Sequence, residues 1–148
     1  MFKKLGLVVL AMLLMFGTAQ AARVLNSNIM DYTFNDVTTA ANSTVTIISG
    51  YEKVAFFVVY DETEVGNSIS AAITCQISYD GTNYQSASFY DYAGGATLQT
   101  SETISADGRY YFWFNRDITA PYVRVVATLT NTDADDVCNV KAYIVAKE

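Results

Sequence analysis

Residues 122–130 read YVRVVATLT, and within this run Val123, Val125, Ala127 and Leu129 alternate with larger or more polar residues. A period of two places neighbouring side chains on opposite faces of a strand, so one face is predicted to lie in a core and the other to be largely polar. The same period dominates the chain after residue 21, and no useful window has the three-four spacing of a helix. The sequence therefore predicts an all-β protein.

Eight segments are rich in Val, Ile, Thr, Tyr and Phe, the composition typical of strands. They span residues 44–49, 53–60, 69–79, 84–90, 97–104, 109–115, 122–130 and 137–146. Glycine, asparagine and aspartate separate them, as expected where the backbone reverses. Short strands at this spacing predict a single antiparallel β-sandwich of about eight strands, either jelly-roll or immunoglobulin-like, with an open barrel as the alternative.

Two of these segments are apolar on both faces. In residues 53–60, Val54, Phe56 and Val58 share one parity, while the other parity is also apolar. The run YYFWF at 110–114 must likewise place aromatic rings on both faces. Such a strand is either central and covered on both sides, or it presents one face to a partner.

The N-terminus has the order of a Sec signal peptide: Lys3 and Lys4, an apolar run over residues 5–16, and small residues up to Ala21. The apolar run is shorter than the ~20 residues that cross a bilayer, so we expect cleavage after Ala21 and no membrane insertion afterwards. The predicted organisation is a signal peptide at 1–21, an N-terminal arm and first edge strand at 22–43, and a β-sandwich domain at 44–148. The mature protein is expected to be secreted, extracellular or on the cell surface, with the periplasm as an alternative.

The charge balance disfavours nucleic acid as a partner. The precursor carries a net charge of −6, and loss of Lys3 and Lys4 leaves 7 basic against 15 acidic residues, or −8. An acidic protein with scattered basic residues is repelled by phosphate backbones.

Histidine is absent, which excludes Ser-His-Asp and Cys-His catalysis and imidazole zinc sites. We therefore predict no enzymatic activity and no required cofactor. A carboxylate-based glycoside hydrolase is the remaining enzymatic alternative. It would draw on Glu52, Glu62, Glu64 and Glu102.

Cys75 and Cys138 are the two cysteines, and each lies on the apolar parity of its predicted strand. In an exported protein an inward pair is expected to form a disulfide. Closing a loop of about 60 residues would stabilise the fold by about 4 kcal/mol. Two free buried thiols are the alternative.

Two acidic runs could bind Ca²⁺, because this cation takes carboxylate and carbonyl oxygens from loops. Solvated turns are the alternative to a metal site. The candidate ligands are Asp61, Glu62 and Glu64 in the first run and Asp133, Asp135 and Asp136 in the second.

Aromatic residues concentrate around one predicted hairpin, at Tyr79, Tyr84, Tyr90 and Tyr92, and Trp113 lies in the run of consecutive aromatics. Outward rings offer a rigid apolar surface with a polar tip, which suits sugar rings or a protein partner. The alternative is that they are ordinary strand residues.

Three segments carry a resemblance to a known class of module: GYEKVAFFV at 50–58, ISYDGTNY at 77–84 and APYVRVV at 120–126. In this order they resemble the small β-sandwich modules of phage virion and other surface-assembly proteins. The resemblance covers residues 45–146 and implies a sandwich that decorates, joins or binds. A signal peptide departs from a virion protein assembled in the cytoplasm, and favours a secreted or surface protein of a cell.

These observations predict a non-enzymatic structural or adhesive subunit that self-associates into an oligomer or filament. The segment after the cleavage site, with apolar Val24, Leu25, Ile29 and Met30, is a candidate assembly arm that pairs with a neighbouring subunit. An edge strand within its own domain, or a frayed terminus, is the alternative for this segment. A carbohydrate-binding module that recognises a surface polysaccharide is the alternative function.

Overall fold

The structure is a computed structural model that describes residues 24–34, 40–62, 69–91, 98–114, 119–130 and 137–148. These residues form eleven strands. Their bounds are β1 Val24–Phe34, β2 Ala40–Asn42, β3 Thr46–Ile47, β4 Lys53–Glu62, β5 Ser70–Ser78, β6 Gln85–Ser86, β7 Phe89–Asp91, β8 Glu102–Ile104, β9 Gly108–Phe114, β10 Tyr122–Thr130 and β11 Cys138–Lys147. No helix long and apolar enough to cross a membrane occurs in those ranges, and the predicted signal peptide at 1–21 lies outside them.

Two antiparallel sheets pack face to face. One has five strands in the order β1-β11-β4-β9-β7, and the other has six, with β2-β10-β5-β6 as its path, β3 beside β10 and β8 beside β5. The predicted all-β sandwich is confirmed, with eleven strands rather than eight. The three additional strands are β1 and β2, which lie in the predicted arm and first edge strand at 22–43, and one of the two strands into which the predicted strand 84–90 divides.

The predicted strand at 84–90 is two strands in different sheets. β6 pairs with β5 and β7 pairs with β9. The chain crosses between the sheets at Ala87, which is buried and donates its N–H to the Cys75 carbonyl at 2.8 Å. No glycine, asparagine or aspartate marks this crossing, so the sequence shows no break there.

The core lies between the sheets and is built by alternate residues of the long strands. Val123, Val125, Ala127 and Leu129 are all buried, as their alternation predicts. One polar group within the core is satisfied by the backbone: Tyr60 donates its hydroxyl to the Ile69 carbonyl at 3.1 Å, which joins β4 to the start of β5.

The predicted assembly arm lies in β1, which pairs with β11 of its own chain from Val24 to Phe34. A bulge at Ile29 turns both Ile29 and Met30 into the core. The Ile29 carbonyl also accepts hydrogen bonds from the Thr44 amide (2.8 Å) and hydroxyl (3.0 Å). β1 is thus an edge strand in cis, tied to the other sheet; its exchange between two copies stays a prediction.

The predicted disulfide between Cys75 and Cys138 is wrong, because both cysteines are free. Their inward orientation is confirmed, since both are fully buried. Cys138 lies beside Tyr60, whose hydroxyl contacts Ile69 at one end of β5. Cys75 lies six residues further along that strand, or about 20 Å at ~3.3 Å per residue. A disulfide spans no more than about 7 Å between Cα atoms.

Candidate functional site

The outer surface of the five-stranded sheet carries a cluster of large apolar side chains, here called the aromatic face. It arises because the even-numbered residues of β4, β9 and β11 fill the core, which turns the odd-numbered residues outward. β7 contributes at the sheet edge. The aromatic face consists of Phe57, Tyr90, Tyr111, Trp113, Tyr143 and Val145.

Strand register aligns these side chains in two rows across the sheet. Tyr143, Phe57 and Tyr111 are direct neighbours on β11, β4 and β9. The Phe57 ring lies 4.7 Å from Tyr111 and 5.8 Å from Tyr143, centroid to centroid. In the adjacent row, Trp113 lies 6.2 Å from Tyr90 on β7. Cross-strand pairs of this kind stabilise a sheet while leaving their outer surfaces to solvent.

Much of this apolar surface is open to solvent. Tyr111 is 46% exposed, Trp113 40% and Val145 38%, whereas Phe57 and Tyr143 are half-buried by their neighbours. Single exposed apolar residues are ordinary on proteins, but a contiguous exposed patch marks an interaction site. This patch is the strongest candidate for function in the described part of the chain.

Charged residues lie at both ends of the aromatic face. At one end Lys53 and Lys147 stand directly opposite each other, and at the other Asp61 stands opposite Asn139. The row beside Asp61 contains Arg109 and Lys141 on either side of Val59. Lys141 forms an ion pair with Asp31 at 3.3 Å.

The outer surface of the other sheet is different in character. Along β5 and β10 it presents Ala72, Thr74, Val126 and Thr128, which are small and only partly exposed. Its charged residue, Arg124, donates from Nε to Gln76 Oε1 at 2.8 Å and stacks 3.9 Å above the Tyr84 ring. The two outer faces are therefore unequal, because the exposed rings of Tyr111 and Trp113 lie on the five-stranded sheet.

The structure separates the five aromatic residues predicted as a ligand or partner surface. Tyr90 and Trp113 lie together on the aromatic face. Tyr79 and Tyr84 lie in the hairpin between β5 and β6, at the other sheet. Tyr79 is 69% exposed there, with its hydroxyl 2.9 Å from Thr119 Oγ1, and Tyr92 lies outside the described residues.

Four residues of the aromatic face were not among the predicted site residues: Phe57, Tyr111, Tyr143 and Val145. A signal for the first two is present in the sequence, because residues 53–60 and 110–114 are apolar on both parities. The pattern leaves open whether the second face is covered. Pairing of β4 with β9 places these two strands side by side, and β11 adds Tyr143 and Val145 on the other side of β4.

The hairpin after β5 holds a carboxylate with a structural role. Asp80 accepts hydrogen bonds from the amides of Asn83 (2.7 Å) and Thr82 (2.8 Å), from the Asn83 side chain and from the Ser78 hydroxyl. These donors, the backbone amides first, hold the pKa of Asp80 well below its usual range. The adjoining depression measures only about 180 Å³, and a carboxylate so engaged stabilises the turn.

The described residues contain no group of three or more acidic or cysteine side chains arranged to hold a metal ion. Asp61 is exposed, and Glu62 donates its amide N–H to Asp107 Oδ1 at 2.6 Å. The other candidate calcium ligands, Glu64, Asp133, Asp135 and Asp136, lie outside the described ranges. Calcium binding stays a prediction, and a rise in melting temperature with calcium and its reversal by chelator would test it.

Neither a comparison with known protein families nor one with curated proteins finds a match to this chain. Among solved structures, the chain is similar to the SPBc2 prophage-derived protein YomS, with a TM-score of 0.55 and 13% sequence identity. The alignment covers 86% of this chain and 97% of that one. At this identity the likeness is one of fold, and it agrees at that level with the resemblance to phage sandwich modules seen in the sequence.

Proposed function

We propose that this protein is a secreted, non-enzymatic structural subunit that self-associates through the aromatic face. One observation carries the proposal. Tyr111, Trp113 and Val145 are exposed and, together with the half-buried Phe57 and Tyr143, form one contiguous apolar patch. Exposure of this much apolar surface to water is unfavourable, and packing against another protein surface would exclude that water. The sandwich fold shared with a prophage-derived protein is compatible with a structural role.

The geometry of the rings favours a protein partner over a sugar. Phe57 and Tyr111 are inclined at 43° to each other, Phe57 and Tyr143 at 45°, and Tyr90 and Trp113 at 37°. Rings tilted against each other form a ridged surface into which side chains can interdigitate, rather than a coplanar platform for pyranose rings. Phe57 and Val145 also have no polar group with which to orient a hydroxylated ligand.

Sedimentation velocity of the mature chain, residues 22–148, tests the proposal. The wild-type protein is expected to shift from monomer to larger species as its concentration rises. The double variant Tyr111→Ser, Trp113→Ser should remain monomeric, because it removes the two most exposed aromatic rings of the face. Tyr79→Ser is the matched control, since Tyr79 is still more exposed but lies in the hairpin between β5 and β6, away from the aromatic face. A wild-type protein that stays monomeric at high concentration would contradict self-association.

Carbohydrate binding is the second candidate, and the adjacent Trp113 and Tyr90 favour it. An indole beside a phenol can stack on a sugar ring, and the phenol supplies a hydrogen-bonding tip. Affinity electrophoresis in gels containing different polysaccharides tests this function. A retarded wild-type band whose retardation is lost in Trp113→Ala would support it, while unchanged mobility in every gel would contradict it.

A further inference from the structure

We infer that the partner of the aromatic face is the same face of a second copy, packed so that the β4 strands of the two copies run antiparallel about a two-fold axis across the strands. This inference rests on the proposed self-association and specifies its geometry. The contact is isologous, so each copy contributes the same residues.

The size of the face suits a second copy. The four spacings between five strands, ~4.8 Å each, span about 19 Å, and the eight residue steps from Lys53 to Asp61 span about 27 Å. Their product is about 510 Å² on each copy, or about 1,000 Å² in total, which reaches the ~1,000 Å² expected of a specific interface. The aromatic rows occupy the middle of this area, and the charges occupy its ends, as in an interface with an apolar centre and a polar rim.

The charges select one of the two arrangements in which the strands of the two copies stay aligned across the contact. With the axis parallel to the strands, Lys53 would meet Lys53, Asp61 would meet Asp61, and Lys141 would meet Arg109 of the second copy. With the axis across the strands and through Phe57, each end of one face meets the opposite end of the other. Lys53 then meets Asp61 of the second copy, and this happens twice. Only the second arrangement pairs unlike charges.

The same operation gives the exposed indole a cationic partner. Trp113 shares a row with Ala55, and Arg109 shares a row with Val59. These rows lie equally far from Phe57 on either side, so the axis exchanges them. Arg109 of one copy therefore comes to lie over Trp113 of the other, where a guanidinium and an indole face attract each other. Charge pairing and cation–π contact both follow from one choice of axis.

Carbodiimide cross-linking, which joins a lysine directly to a carboxylate, tests the arrangement on the wild-type mature chain. Within one chain Lys53 and Asp61 lie about 27 Å apart on the same strand, so a direct link between them must join two copies. A peptide linked through Lys53 and Asp61 is expected in the dimer band and not in the monomer band. A dimer band without this link would overturn the arrangement while leaving self-association in place.

Charge exchange provides an independent test by sedimentation. Lys53→Asp should raise the dimer dissociation constant about tenfold, because two attractive rim pairs become repulsive. The double variant Lys53→Asp, Asp61→Lys should restore the wild-type value. Arg124→Gln, on the other sheet, is the matched control and should leave it unchanged. An unchanged dissociation constant for Lys53→Asp would overturn the arrangement in favour of the parallel axis, because that axis places residue 53 of both copies together and a like-charged pair remains there. A wild-type protein without dimers would overturn both the arrangement and the proposed function.

Discussion

Burial of Cys75 and Cys138 protects each thiol from solvent as well as from the other. We predict that iodoacetamide leaves both thiols unmodified in the native protein and modifies both once the unreduced protein is denatured, since the thiolate must be exposed to react. Intact mass before and after denaturation measures this. A denatured, unreduced protein that takes up no label would instead show that the two cysteines are bonded.

The buried thiols should also make the fold sensitive to alkali. Burial is the main cause that raises the pKa of Cys138 from 9.0 to about 11, and burial raises the pKa of Cys75 as well. Between pH 9 and 11 the unfolded chain therefore releases thiol protons that the native state retains, so the free energy of unfolding falls as pH rises. Urea midpoints at pH 7, 9 and 10.5 measure the fall, which should be smaller in Cys138→Ala. A midpoint independent of pH would contradict it.

The two cysteines show which properties of a residue the local sequence pattern can predict. The inward parity of both cysteines follows from alternation along one strand, and it could be predicted correctly. Whether two inward residues meet depends on how far each lies along the sandwich axis, which is set by the pairing of strands distant in sequence. Cys138 opposes Glu62 and Phe34 in one sheet, whereas Cys75 opposes Val125 in the other. Local alternation contains no information on that offset.

At the scale of elements, β1 contributes to the stability of its own domain through side chains in the core. Deleting residues 22–30 removes the buried Ile29 and Met30 side chains and the hydrogen bonds of Thr44 to the Ile29 carbonyl. Burying such a side chain is worth ~1.5–3 kcal/mol, so the melting temperature should fall by more than about 10 °C. Calorimetry of dilute protein measures this. The control, Val24→Ser, changes a residue that is 62% exposed and should melt like the wild type.

A different outcome of the same deletion would identify β1 as an exchanged strand. If the truncated chain keeps its melting temperature and loses only the ability to self-associate, β1 is not needed by its own domain and pairs in trans. Strand exchange between copies builds open chains, whereas packing of two aromatic faces stops at a dimer. Sedimentation distinguishes the two modes of assembly. With packed aromatic faces the largest species is a dimer, whereas with exchanged strands the species keep growing as the protein concentration rises.

Long strands could be predicted from the sequence and short ones could not. β5, β10 and β11 alternate over nine or ten residues, which fixes both their type and their inward face. The two-residue strands β3 and β6 depend instead on the neighbour that they pair with. β6 and β7 were predicted as one strand because no glycine, asparagine or aspartate separates them, although the chain changes sheets between them.

At the scale of the whole molecule, the aromatic face results from sheet order. Residues 53–60 could be predicted to be apolar on both sides, yet a central strand covered by other elements gives the same pattern. The face becomes recognisable only when β11, β4 and β9 are neighbours in one sheet and no described element covers their outer side. Long-range pairing therefore joins two ambiguous strands and the outward side chains of β11 into a single exposed surface.

This surface contains a natural probe, because Trp113 is the only tryptophan in the chain and is 40% exposed. Packing of two aromatic faces would remove water from its indole and place Arg109 of the second copy above it. We predict that its emission shifts to shorter wavelength, and that quenching by acrylamide weakens, as protein concentration rises through the range in which sedimentation detects dimers. Lys53→Asp should move both changes to higher concentration, each measured against the spectrum of its own dilute monomer, because Lys53 and Trp113 are diagonal neighbours on β4 and β9. If dimers form while emission and quenching stay constant, the indole remains in water, and the contact between copies lies elsewhere on the molecule.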